Sequence, residues 1–166
     1  NLTFVSGSTI NLIGVAGSAA ITTTAGGTVT MTNAGVLTIN AAGDMSLDGA
    51  FTQNGAGTVT TSGDITTTND NISFATAVTL GGNVALSTGA GAGDITFTST
   101  VNGGSSLDLT AGTGNVNMVD NAGGVTPLTT FTVNSATQVD LANVLGTDIV
   151  VTGTNIDLNG DTYTGS

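Results

Sequence analysis

Residues 93–118, Gly93 to Met118, read GDITFTSTVNGGSSLDLTAGTGNVNM. The stretch holds three apolar-polar-apolar beats, Ile95-Thr96-Phe97, Leu107-Asp108-Leu109 and Val116-Asn117-Met118, with a lone Val101 between the first two. Two side chains pointing one way and the third the other is the period-2 signature of a β-strand. Gly, Asn, Ser and Thr fill the gaps, and Gly and Asn tolerate the positive φ of a tight corner. Short strands joined by tight corners are therefore the local plan.

The rest of the chain repeats it. Beats recur at Leu2-Thr3-Phe4, Ile10-Asn11-Leu12, Val29-Thr30-Met31, Leu37-Thr38-Ile39, Met45-Ser46-Leu47, Ile72-Ser73-Phe74, Val78-Thr79-Leu80, Phe131-Thr132-Val133, Val139-Asp140-Leu141 and Ile156-Asp157-Leu158. Their spacing leaves room for a strand and a corner and little more. Apolar residues at i, i+3, i+4 and i+7 never persist, and 26 Gly together with abundant Thr and Asn oppose helix.

A longer period shows in the bulky side chains Leu12, Met31, Phe51, Phe74, Phe97, Met118, Leu141 and Tyr163, which follow one another every 19 to 23 residues. The beat Gly-Asp/Asn-apolar counts the same period at Asp44, Asp64, Asn83, Asp94 and Asn115, although the step from Asn83 to Asp94 is only 11. A period of about 20–23 residues made only of strands and corners predicts an all-β fold, a parallel β-helix or β-solenoid of roughly eight coils, right-handed by the crossover rule. At about 4.8 Å per coil the rod is on the order of 38 Å long. Residues 1–166 then form a single solenoid domain with the bulky series stacked inside, Thr and Ser facing water, and Asp and Asn at the corners. An antiparallel sandwich predicts no such period, and an outer-membrane barrel needs strands of about 9–11 residues.

Composition limits the partners. Lys, Arg, His and Cys are absent, and eleven Asp give a net charge of −11. Nucleic acid and anionic membrane are disfavoured, because both are bound through Lys and Arg. There is no disulfide framework and no trypsin site. The most apolar window, LIGVAGSAAI from Leu12 to Ile21, is too short and too rich in Gly for a transmembrane helix. The chain opens at Asn1 without a leader, so it reads as a segment or processed unit of a longer chain.

GDMSLDGAFTQNGAGTVTTSGDITTTNDNISF, Gly43 to Phe74, and GDITFTSTVNGGSSLDLTAGTGNV, Gly93 to Val116, resemble the repeat tracts of large bacterial surface proteins of the filamentous haemagglutinin-like type. The resemblance implies a right-handed parallel β-helix, secreted, serving adhesion or an extracellular fibre.

Candidate chemistry is sparse. Asp44 with Asp48 is a carboxylate pair, but no cation is present to stabilise a developing anion, so no enzyme is expected. Asp157, Asn159 and Asp161 alternate oxygen-bearing side chains along an extended segment and are the candidate Ca²⁺ ligands. No other cofactor is implied. Against calcium, Asp and Asn ordinarily cap corners by accepting from backbone amides. Thr-x-Thr pairs such as Thr28/Thr30 and Thr96/Thr98 match ordinary solvent-facing strands. Neither Asn1–Val5 nor the segment from Ile156 to Ser166 resembles a solenoid cap. The expected protein is thus a structural component at the bacterial cell surface or outside the cell. Its partners are copies of itself docked head to tail, or flanking coils of the same chain. The other expectation is an adhesin module whose Asp-rich corners bind Ca²⁺ or glycans.

Overall fold

The period-2 beats become short parallel strands wound into a three-faced solenoid. The computed structural model describes residues 1–14 and 19–165, so the window from Leu12 to Ile21 lies partly outside the described residues. Those residues form strands and no helix, and every strand pairing is parallel. Turns of about 22 residues, about seven of them, stack along one axis.

Face I is an eight-stranded sheet of Leu2–Ser6, Val29–Asn33, Phe51–Gln53, Ile72–Phe74, Ile95–Phe97, Asn115–Met118, Gln138–Leu141 and Asn155–Leu158. Face II is a five-stranded sheet from Ile10–Leu12 through Leu37–Ile39, Val59–Thr61 and Val78–Leu80 to Val101–Asn102. Single bridges carry it on from Val101 to Ala122 and from Ala122 to Val144, which pairs with Tyr163. Face III runs from Ile21–Thr22 through Met45–Leu47, Ile65–Thr67, Val84–Ser87 and Leu107–Thr110 to the long strands Leu128–Ser135 and Val144–Val151. Val144–Val151 turns the edge of the rod: its first residue lies on face II, and its last three pair with Phe131, Thr132 and Val133 on face III.

Alternation follows the sequence. In Val29–Asn33 the residues Val29, Met31 and Asn33 are buried and the two Thr between them are not. The bulky series is not one stack. Met31, Phe74, Phe97, Met118 and Leu141 share a column of face I, in which Gln53 occupies the place between Met31 and Phe74. Phe51 stands in the adjacent column between Val29 and Ile72, Leu12 pairs with Ile39 on face II, and Tyr163 pairs with Val144. The near-constant spacing arose because positions in different columns and faces are offset by only a few residues. The Phe51 ring still meets Phe74, at 5.3 Å and a tilt of 51°, and Phe74 stacks on Phe97 at 5.2 Å and 5°.

Thr does not always face water. Thr61, Thr67 and Thr88 are buried, and each closes a corner by donating to a backbone carbonyl, of Gly63, Asp70 and Gly93 respectively. Gln53 and Asn33 are buried as a pair. Gln53 Nε2 donates to Asn33 Oδ1 at 2.8 Å, Gln53 Oε1 accepts from Ala75 N–H at 3.0 Å, and Asn33 Nδ2 donates to the Gly35 carbonyl at 2.7 Å. Among the described residues no buried side-chain polar atom lacks a partner. Satisfied in this way, an internal amide costs the core little.

Candidate functional site: corner clamps, open ends and an outer groove

The Asp/Asn-apolar step has a definite mechanical role, with or without a preceding Gly. Asp44 Oδ1 accepts the N–H of Asp64 in the next coil at 2.8 Å, and Met45 N–H donates to the Asp64 carbonyl at 2.9 Å. One residue of the upper coil is thus gripped at both its N–H and its C=O by a dipeptide of the coil below. Asn71-Ile72 grips Asp94 likewise, at 2.8 and 2.9 Å, and Asn83-Val84 grips Ser106 at 3.1 and 3.0 Å. Asn1-Leu2 grips Thr28, and Asn143-Val144 grips Thr162. Asp64 Oδ1 and Asp94 Oδ1 extend the pattern to the N–H groups of Ala85 and Asn115 at 2.8 Å each. The preceding Gly lets the corners approach: a Cβ on Gly114 would lie 2.1 Å from the Gly93 carbonyl oxygen, and one on Gly93 2.6 Å from that of Asp70.

The five corner residues singled out in the sequence divide between two edges. Asp44, Asp64 and Asn83 open face III, whereas Asp94 and Asn115 open face I. The short step of 11 from Asn83 to Asp94 is the passage from one edge to the other within a coil. At these corners Asp44 and Asp64 are direct neighbours, and Asp94 lies between Asn71 and Asn115, so amides separate the carboxylates on the second edge.

The proposed calcium ligands are spread out in role. Asp157 Oδ2 accepts from Gln138 Nε2 at 2.8 Å, Asn159 lies at the rim of an outer groove, and the backbone N–H of Asp161 donates to Asn143 Oδ1 at 2.6 Å. Among the described residues no three acidic side chains converge as a metal group.

The terminal rungs leave their inward side chains uncovered. Leu2 and Phe4 are 39% and 37% exposed where their partners Val29 and Met31 are 0% and 1%, and at the other end Ile156 and Leu158 are 42% and 56% exposed.

The groove, of about 510 Å³, crosses face I at its later rungs. Its walls are the outward residues Thr96, Asn117 and Asp140 and the positions just past the strands, Val119, Ala142 and Asn159. Asn117, Asp140 and the bridging Gln138 escaped sequence reading, because outward strand residues follow no chemical motif. The chain has only two Gln, Gln53 and Gln138, and both knit polar networks, which was the one available signal. No family model matches the chain, and neither a curated protein nor a solved structure matches it.

Proposed function

We propose that this chain is a structural rod, a β-solenoid segment of an extracellular fibre or bacterial cell-surface protein, assembling end to end with copies of itself or continuing in coils of a longer chain. The carrying observation is the uninterrupted stack itself, parallel rungs tied coil to coil by backbone ladders and corner clamps around a dry interior. The inward columns of face I are dry from Val29 to Leu141 and then reach solvent at Phe4 and Leu158. A further coil on either end extends three ladders of backbone hydrogen bonds and removes apolar surface worth about 25 cal/mol per Å² from water. The corner clamps and the dry interior supply stiffness. The absence of Lys and Arg, with the resemblance of Gly43–Phe74 and Gly93–Val116 to large surface-protein repeats, supports a place outside the cell. Nothing in this mechanism calls on catalysis.

Cryo-electron imaging of the chain and of its parent protein, without added ligand, tests the proposal. Filaments or long rods with an axial repeat of about 4.8 Å are expected. Isolated short rods from both samples would overturn it.

A further inference from the structure

We propose that the outer groove of face I binds a neutral saccharide, so that the rod carries a recognition site along its side. A ligand uses the polar side chains that the fold itself does not occupy. The corner residues Asp44, Asp64, Asn83 and Asp94 are engaged by backbone N–H groups of the next coil. Each holds the fold through its Oδ1, so a ligand there competes with a clamp between coils.

The outward column of face I runs Thr30, Thr52, Ser73 and Thr96, then changes to Asn117, Asp140 and Asp157. Of this column Thr96, Asn117 and Asp140 line the groove, with Asp157 one rung further on, so single hydroxyls give way to two-headed amides and carboxylates across it. Two-headed groups suit the adjacent hydroxyls of a sugar ring: a carboxylate oxygen accepts an O–H, while an amide accepts at its oxygen and donates from its nitrogen. They are also held in place: Gln138 Nε2 donates to Asp140 Oδ1 at 3.0 Å and to Asp157 Oδ2 at 2.8 Å, and Asn117 Nδ2 donates to Thr96 Oγ1 at 3.4 Å. Fixing the acceptors before binding lowers the entropy lost on association.

The apolar part of the groove is Val119, 64% exposed, with the small Ala142 beside it. A sugar presents C–H groups on one face and hydroxyls on its rim, and this mixed lining meets both. The volume falls in the usual range for small-molecule sites, about 300–1,000 Å³. Charge selects within the class. With no Lys, Arg or His in the chain, a uronate, sialate or sulfated sugar would meet Asp140 and Asp157 with nothing to offset the repulsion. Lacking an aromatic platform, one groove binds weakly, with Kd on the order of 1 mM. In a rod of the kind proposed above, repeated display of weak sites raises avidity.

The test is an NMR titration of the isolated ¹⁵N-labelled chain with the methyl glycosides of glucose, galactose, mannose and N-acetylglucosamine, and in parallel with glucuronate and with CaCl₂. It does not depend on assembly, so its failure and the failure of the rod proposal are separable. At least one neutral glycoside should give saturable shifts centred on the amides of Asn117, Val119, Asp140, Ala142 and Asn159. Asp140→Asn should weaken binding about fivefold or more. Ala142→Gln, which fills the groove from an outward position, should abolish the shifts while leaving the rest of the spectrum in place. No saturable shift with any of the four neutral probes, shifts centred elsewhere, or an equal response to glucuronate or Ca²⁺ would overturn the assignment.

Discussion

Asp94 is held on three sides at once. Its N–H donates to Asn71 Oδ1, its carbonyl accepts from Ile72 N–H, and its own Oδ1 takes the N–H of Asn115. The carboxylate acts here as a hydrogen-bond acceptor. Asp94→Ala leaves the Asn115 N–H without its partner and should cost about 1–2 kcal/mol. Asp94→Asn keeps an acceptor in the same place and should stay within about 0.5 kcal/mol of the parent. Urea unfolding decides between them, and equal losses would show that charge matters at this corner. The glycines give a sharper contrast. Gly114→Ala sets a Cβ 2.1 Å from the Gly93 carbonyl oxygen, so backbone must move, and a loss above about 2 kcal/mol is expected. Gly7→Ala, with nothing within 4 Å of the added Cβ, should change stability by less than about 0.5 kcal/mol in the same experiment.

Among elements, the columns of face I carry the most packing energy. Phe74 lies between the rings of Phe51 and Phe97, so Phe74→Ala empties the middle of an aromatic run and should cost about 3–5 kcal/mol. Gln53→Met probes the one buried amide in that column: it keeps an unbranched side chain and removes the partner of Asn33 Oδ1, while the Thr76 hydroxyl keeps the Gly57 carbonyl. A loss of about 1–3 kcal/mol is expected, and a neutral result would mean that the network contributes nothing net. Strand positions and the solenoid class were legible in the sequence because apolar alternation sets both directly, as in Val29-Thr30-Met31. Column membership was not. Phe51 and Phe74 look equivalent in sequence, yet Gln53 takes the aromatic position and Phe51 fills the space from the next column, a consequence of packing across coils. The corners were legible as Asx positions but not as clamps, since the N–H that each accepts lies about a coil away. The groove was least legible, because it arises from outward side chains of several rungs brought side by side.

At the scale of the whole molecule, the flanks and the ends differ in chemistry. The chain carries eleven Asp and no Lys, Arg or His, while its end rungs present Leu2, Phe4, Ile156 and Leu158. Rods of this charge repel one another side by side, so the end-to-end growth proposed above would be favoured over clumping. Repulsion between flanks acts over a Debye length of about 8 Å at physiological ionic strength, shorter than the reach of the charge at low salt. Monovalent salt should therefore let rods approach without joining them. A divalent cation can bridge carboxylates of two rods, and neighbouring corner carboxylates such as Asp44 and Asp64, away from the groove, offer places to do so. The expected outcome is lateral bundling in MgCl₂ or CaCl₂ and none in NaCl of equal ionic strength, followed by turbidity and small-angle scattering. Bundling in both salts would make screening the cause, since bridging needs the second charge. Flat scattering in both would mean that side-to-side contact is opposed by more than charge, with the hydrated Thr and Ser rows of the three faces as the remaining barrier.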